Sequence, residues 1–345
     1  LCEAMLACAG EINRMGSIEA KNTVSDYHHD EHERQISIHS SPLHLEWMNK
    51  KFNIIDTPGY LDFIGEAISS LAVVDMAVVL LHAVNGVEVG TEQVWSFASK
   101  NNIPKVLVVN GLDREHIKFD DILKQAKDHF GKNVFPMQLP VNAGPGFNQI
   151  VDVLRSELIT YNTDGSGKYS ESDLPDEWRS RVEELHQELI EFVAESDDTL
   201  LEKFFEQGNL SEEEMRSGIH DAIQNQSFIP LFCTSASINI GVTRLMEFVS
   251  KYGSSPVDRG TVLAKSTKSD EEISVNGVTE LIQKTIEKPI SIRMVKSDDP
   301  NYTKDNPQRR RPDLSLIEKS VNYTPKINFE EGLKRVYKWY KGNLE

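Results

Sequence analysis

Three short stretches carry residue types that could hold a nucleotide, and each directly follows a run that reads as a β-strand. Asp56-Thr57-Pro58-Gly59 follows the strand at 52–55. A carboxylate at a strand end with a glycine turn behind it suits a magnesium–phosphate site. The Asp holds the ion through water, and the Gly N–H can approach a terminal phosphate because no side chain blocks it. Asn110-Gly111-Leu112-Asp113 ends the strand at 106–109. The Asp113 carboxylate can accept both donors on one edge of guanine, a pair that adenine lacks. Asn110 can bond the other side of the ring or tie neighbouring loops together. Ser235-Ala236 follows the strand at 228–234, where a small-residue turn leaves backbone N–H groups to meet the guanine O6. Each stretch alone is an ordinary turn. Their order, and their shared place at the carboxyl edge where open α/β sheets bind ligands, make them one site.

The elements needed to position them can be read from periodicity. The apolar runs at 76–82 and 106–110 suit strands buried on both faces of a parallel sheet. Helical stretches at 63–71 and 91–100 lie between the strands, so the fold class is α/β with a mostly parallel sheet. The segments 43–47 and 52–56, joined through 48–51, read as a hairpin. Residues 1–9 read as a helix, 17–41 as mainly loop, and 134–141 as strand. An acidic helical segment follows, with helices at 178–207 and 211–224, the second opening on the capping box Ser211/Glu214. Residues 228–234 return to strand and 242–251 to helix. The domain boundaries expected are 1–141 and 226–265 for the sheet domain, 142–225 for a helical insertion, and 270–345 for a small α+β tail with a terminal helix at 329–341.

The 345 residues carry a net charge of −17, which argues against a broad non-specific grip on nucleic acid and against sequence-specific binding to it. Docking on a ribonucleoprotein through a small patch stays open. The acid is concentrated at 173–214, as on a solvated helical face. Three cysteines without metal-ligand spacing read as reduced thiols, and no apolar run approaches the ~20 residues of a bilayer span; the expectation is a cytoplasmic protein without a membrane partner.

The residues just described resemble the GTP-binding domain of translational GTPases of the elongation factor G and elongation factor G-like kind, over about 1–265. Glu33-Arg34-Gln35-Ile36-Ser37-Ile38 resembles their first switch segment, Asp56–Gly59 the second, and Asn110–Asp113 the guanine-reading motif. The acidic insertion and the return through 230–236 resemble the extra subdomain of elongation factor G. The resemblance implies a P-loop GTPase-type fold that binds GTP or GDP with Mg²⁺ and partners the ribosome. It places Ser37 and Asp56 on magnesium, Gly59 at the terminal phosphate, and Asn110, Asp113, Ser235 and Ala236 at the guanine. Tyr60 stands where the family has the histidine that positions the attacking water, and Gly111 where a lysine stacks along the base. Leu1–Leu6 matches the helix that follows the family's phosphate loop, so the chain is expected to begin after the first strand and that loop. The strand neighbours at 52–56 and 76–82 should then lack a partner between them, and GTP should bind weakly. Asp164-Gly165-Ser166-Gly167-Lys168 mimics the loop, but Tyr169 follows it where a hydroxyl is needed, and no strand is expected before it.

Two features remain open. His28, His29 and His32 lie near Asp30, Glu31 and Glu33, which suits either a zinc site or a polar switch loop. The segment 270–345, with Arg309 and Arg310 in a basic run, resembles the C-terminal end of extended short-chain dehydrogenases acting on nucleotide sugars; the arginines would bind the sugar-nucleotide diphosphate. A basic linker with a surface helix is the plainer alternative. The whole then reads as a chimera joined near Asp270, by true fusion, as a pseudogene product or by assembly artefact. Its function is nucleotide binding by a translational GTPase, against a nucleotide-sugar epimerase or decarboxylase fragment, or a non-hydrolysing ribosome-interacting module.

Overall fold

The computed structural model describes residues 1–260, together with 264–265, 272–273, 282, 284–285, 327 and 329–343. The junction near Asp270, Arg309 and Arg310 lie outside them. Residues Leu1–Ser255 form one compact unit and Pro256–Glu345 a second.

The first unit begins with α1 (Cys2–Ala9) and the short α2 (His29–Arg34), which falls inside the segment expected to be mainly loop. The hairpin β1 (Ser41–Trp47) and β2 (Lys50–Asp56) pairs antiparallel with Trp47 opposite Lys50. Met48 and Asn49 both adopt positive φ, 51° and 59°, the turn geometry whose twist matches the flanking strands. Along β1 the side chains of Ser41, Leu43, Leu45 and Trp47 turn inward and those of Pro42, His44 and Glu46 outward, the period-two pattern of a half-buried strand.

Next come α3 (Ile64–Leu71), β3 (Ala77–His82), α4 (Val89–Lys100), β4 (Lys105–Asn110), α5 (Phe119–Phe130) and β5 (Val134–Pro136). With β10 (Ile229–Thr234) they build a parallel four-stranded sheet in the order β3-β4-β10-β5. β10 is buried along its whole length and β4 everywhere but its last residue, whereas β3, at the sheet edge, alternates. Among the described residues β2 pairs only with β1 and β3 only with β4. Val78 and Leu80 of β3 are 37% and 45% exposed, so the described residues cover that side of the strand only in part.

The strand expected over 134–141 divides at Met137, after which β6 (Gln138–Pro140) joins β7 (Gln149–Asp152), β8 (Glu157–Tyr161) and β9 (Tyr169–Asp173) in an antiparallel sheet. The reason is local. Met137 N–H donates to Leu231 O of β10, while its carbonyl accepts from Val153 N, so the chain leaves one sheet for the other at that residue. A strand, β8, therefore does precede the 164–168 stretch, contrary to expectation. That stretch turns a hairpin into another strand, so it presents no helix N-terminus to a phosphate. The helix expected over 178–207 is two, α6 (Asp176–Ala194) and α7 (Asp198–Gln207). Asp197 ends the run because its carboxylate caps the new helix, accepting from Thr199 N at 2.8 Å and Leu200 N at 3.2 Å. α8 (Glu212–Gln224) opens on the reciprocal Ser211–Glu214 bonds, and α9 (Val242–Tyr252) closes the unit.

The antiparallel sheet is held to α9 by Arg244, which is 3% exposed. Its guanidinium pairs with Glu157 of β8, Glu171 of β9 and Glu247 of its own helix, and lies over the Tyr169 ring, 4.8 Å from the centroid. In the second unit β11 (Ala264–Lys265) pairs with β12 (Glu272–Ile273), and α10 (Phe329–Asn343) carries the i,i+4 ion pairs Glu330–Lys334 and Glu331–Arg335.

Arg244→Ala leaves Glu157, Glu171 and Glu247 to the longer contacts of the more exposed Arg155, at 3.5, 3.5 and 3.7 Å. Since removing the buried partner of an ion-pair cluster is destabilising, and Arg155 compensates only in part, it should cost at most about 3 kcal/mol of stability, read from the midpoint of urea unfolding followed by circular dichroism; the double variant Arg155→Ala/Arg244→Ala should cost more.

Candidate functional site

The carboxyl ends of β4 and β10 meet through Asn110. Its Oδ1 accepts from Ala236 N at 2.9 Å and from Thr234 Oγ1 at 3.1 Å. The backbone reinforces the junction, with Gly111 N and Leu112 N both donating to Thr234 O, at 3.0 and 3.2 Å. Of the two roles open to Asn110 from sequence, this arrangement uses the loop-tying one. Gly111 sits at φ +88°, where a residue with a Cβ is strained, and the Arg114 side chain lies alongside it.

Asp113 is brought to the same junction. Ser235 Oγ donates to its Oδ1 at 2.5 Å and Ser237 Oγ to its Oδ2 at 3.4 Å. The backbone donors expected to be available at Ser235-Ala236 are both engaged: Ser235 N–H bonds Ile240 O at 2.9 Å, and Ala236 N–H bonds Asn110. The expectation overlooked that a tight turn must satisfy its own buried N–H groups. Thr234 and Ser237 escaped the sequence reading; the run of small hydroxyl residues after a buried strand was the available signal.

A second group of residues gathers at the end of β2. Asp56 lies at the strand terminus, close enough to Cys2 and Asp26 to influence both. Burial first, then the neighbouring Asp56 carboxylate, pushes the Cys2 thiol up to about 12. Burial also raises the Asp26 carboxyl, with Glu31 and Asp56 adding to the rise and the Ser37 hydrogen bond opposing it. Ser37 Oγ donates to Asp26 Oδ1 at 2.7 Å. Ser37 and Asp26 are thus joined by a hydrogen bond, with the Asp56 carboxylate near enough to act on Asp26 through its charge; hydroxyl and carboxylate oxygens are the ligand type that hard divalent cations take. Nothing local in the sequence marks Asp26, which is eleven residues from Ser37. Gly59 and Tyr60 are exposed, Tyr60 to 58%. A Cβ at Gly59 would meet nothing within 4 Å, so the fold itself does not demand glycine there. Of the histidines, His32 Nε2 bonds Asp26 O at 2.8 Å, His29 is exposed, and His28 approaches Asp30 and His39. Among the described residues no helix is long and apolar enough to cross a membrane.

A parallel sheet with an Asn/Asp loop after β4, a Ser-Ala turn after β10 and an Asp-x-x-Gly turn after β2 defines an α/β domain of the P-loop GTPase type. Residues 1–255 match the family described as the Elongation factor Tu GTP binding domain, and the chain belongs to that family. Among curated relatives it is similar to elongation factor G of Salinibacter ruber, 35% identical over 274 residues that make up 79% of this chain and 39% of the relative. A crystal structure of a Thermus thermophilus protein superposes with a TM-score of 0.71 at 30% identity, over 76% of this chain and 40% of the other. The chain therefore spans about two fifths of the length of these relatives.

The environment of the cysteines sets a measurable pH response. Burial raises Cys2, Cys8 and Cys233 alike, so all three are protonated at pH 8 in the folded chain and react slowly. Titration with a disulfide reagent at pH 8 should show slow thiols in the native protein and three fast ones after unfolding in guanidinium.

Proposed function

We propose that this chain is the guanine-nucleotide-binding part of an elongation factor G-like translational GTPase. The observation that carries the reading is the β4–β10 junction, where a carboxylate and a carboxamide are held together by two backbone loops. The Asp113 oxygens already accept from two hydroxyls, so they fit the two donors on the guanine edge, which would take the place of Ser235 and Ser237. The guanine O6 would compete with Asn110 Oδ1 for the Ala236 N–H. The oxygen set of Ser37 and Asp56, with Asp26 beside them, fits Mg²⁺; when bound, the ion neutralises and orients the phosphate oxygens of GTP or GDP. Gly59 would lend its N–H to the terminal phosphate. Tyr60 would stand beside the attacking water, but a phenol is a poor proton acceptor at neutral pH, so hydrolysis is slow.

The sheet segments 1–141 and 226–265 form the nucleotide domain in this reading, and 142–225 its insertion. The tail, 270–345, is a separate segment of a chimera, with Arg309 and Arg310 assigned to a sugar-nucleotide diphosphate on resemblance alone. The ribosome is the partner and the cytoplasm the location, both through kinship with elongation factor G.

Asp113→Asn should reverse the preference between GTP and XTP, because xanthine offers an acceptor where guanine has an amino donor. Each charge-assisted bond to guanine that is lost costs about 1.5–3 kcal/mol. Unchanged relative affinities for the two nucleotides would remove Asp113 from the base site and overturn the reading. In single-turnover assays with ribosomes, Tyr60→His should raise the GTP hydrolysis rate; a fall would show that position 60 has another role.

A further inference from the structure

The segment that carries Ser37 also assembles a group of ligands that the nucleotide site does not use. The ligand atoms of His28, Asp30 and His39 all lie within 4.8 Å of one another. His39 Nε2 and Asp30 Oδ2 are 3.1 Å apart, and the His28 and His39 rings have centroids 4.5 Å apart. A tetrahedral zinc ion with ligands at about 2.0–2.1 Å needs ligand atoms separated by ~3.3 Å. The Asp30–His39 pair is already close to that spacing, and His28 offers a third ligand atom within 4.8 Å of both. The two imidazoles and one carboxylate are half-buried to partly exposed, which leaves a path for an ion to enter.

The backbone beneath the cluster is fixed independently of any metal. Glu31 is 1% exposed, and its Oε1 accepts from Ile38 N and His39 N, both at 3.0 Å. Its Oε2 accepts from His28 N at 3.1 Å. One buried carboxylate thus holds the main chain of both histidine ligands, although they are eleven residues apart. Preorganised ligands lower the ordering cost of binding. This also explains why spacing alone misdirects the choice of ligands: of the sequence-adjacent candidates, His29 and His32 face other surroundings, and His39 enters from the far end of the segment.

We propose that His28, Asp30 and His39 form a binding site for a divalent transition metal of the zinc type, with three protein ligands and a fourth position open to water. Two imidazole nitrogens favour zinc over magnesium, which prefers oxygen. The site is distinct from the oxygen set of Ser37, Asp26 and Asp56, and it stands without any assumption about nucleotide binding.

The test is a calorimetric titration of the purified, chelator-stripped full chain with zinc, in buffer containing millimolar magnesium, alongside cobalt(II) as a spectroscopic probe. The expected result is saturation at one equivalent, and visible cobalt bands of tetrahedral intensity that zinc abolishes. The double variant His28→Ala/His39→Ala should lose both signals, while His29→Ala keeps them; circular dichroism of each variant checks folding. A second variant, Asp30→Asn, preserves size and should weaken binding without removing the histidines. Absence of saturable zinc binding in the unmodified chain overturns the proposal. So does binding that survives in the folded double variant.

Discussion

The Asn110 side chain joins the ends of two parallel strands whose loops must stay together for either to present a ligand. β4 and β10 are more than a hundred residues apart in the chain, and the whole antiparallel sheet and four helices intervene. Backbone pairing brings the strands side by side, but it stops at Thr234 opposite Asn110. Beyond that point the carboxamide takes over, accepting from Thr234 Oγ1 and Ala236 N–H. Gly111 and Leu112 add donors to Thr234 O from the other loop. The position of Asp113 and the shape of the Ser235-Ala236 turn follow from these bonds. A buried donor or acceptor left unpaired costs about 1–3 kcal/mol, so the two loops are fixed together.

The intervening segment is attached by a different kind of contact. Met137 hands the chain from the parallel to the antiparallel sheet through one bond in each direction. Arg244 then holds the far side of that sheet to α9 through carboxylates from two strands. A charged clamp of this kind is costly to desolvate and is satisfied only if every carboxylate stays in place. It therefore fixes the orientation of the antiparallel sheet on α9 more than it adds to net stability. The loops after β4 and β10 and the antiparallel sheet are thus two constructions sharing β10 and its following helix.

In the segment 26–39, carboxylates organise the chain on either side of the short α2. Glu31 gathers three backbone N–H groups, and Asp26 holds the Ser37 hydroxyl. Acidic residues that composition would assign to a solvated surface here act as acceptors for main-chain and side-chain donors. This gives the segment a definite shape, with Asp26 holding Ser37 and Glu31 holding the backbone of His28 and His39.

The sequence alone determined the α/β class, the β1–β2 hairpin, the buried strands β4 and β10 and the capped helix α8. These depend on local signals: period-two alternation, unbroken apolar runs and a Ser-x-x-Glu box. It also marked Asn110, Asp113, Asp56 and Ser235-Ala236, because each sits just after such a strand. The tertiary structure decided what the sequence could not place. That includes the division of 134–141 between two sheets, the strand before residues 164–168, the donors already spent at Ser235 and Ala236, and the arrival of Asp26 beside Ser37 and of His39 beside His28 and Asp30. Each of these depends on which distant group satisfies a backbone or side-chain hydrogen bond. That pairing is set by packing of the whole domain, so it leaves no trace in the local pattern.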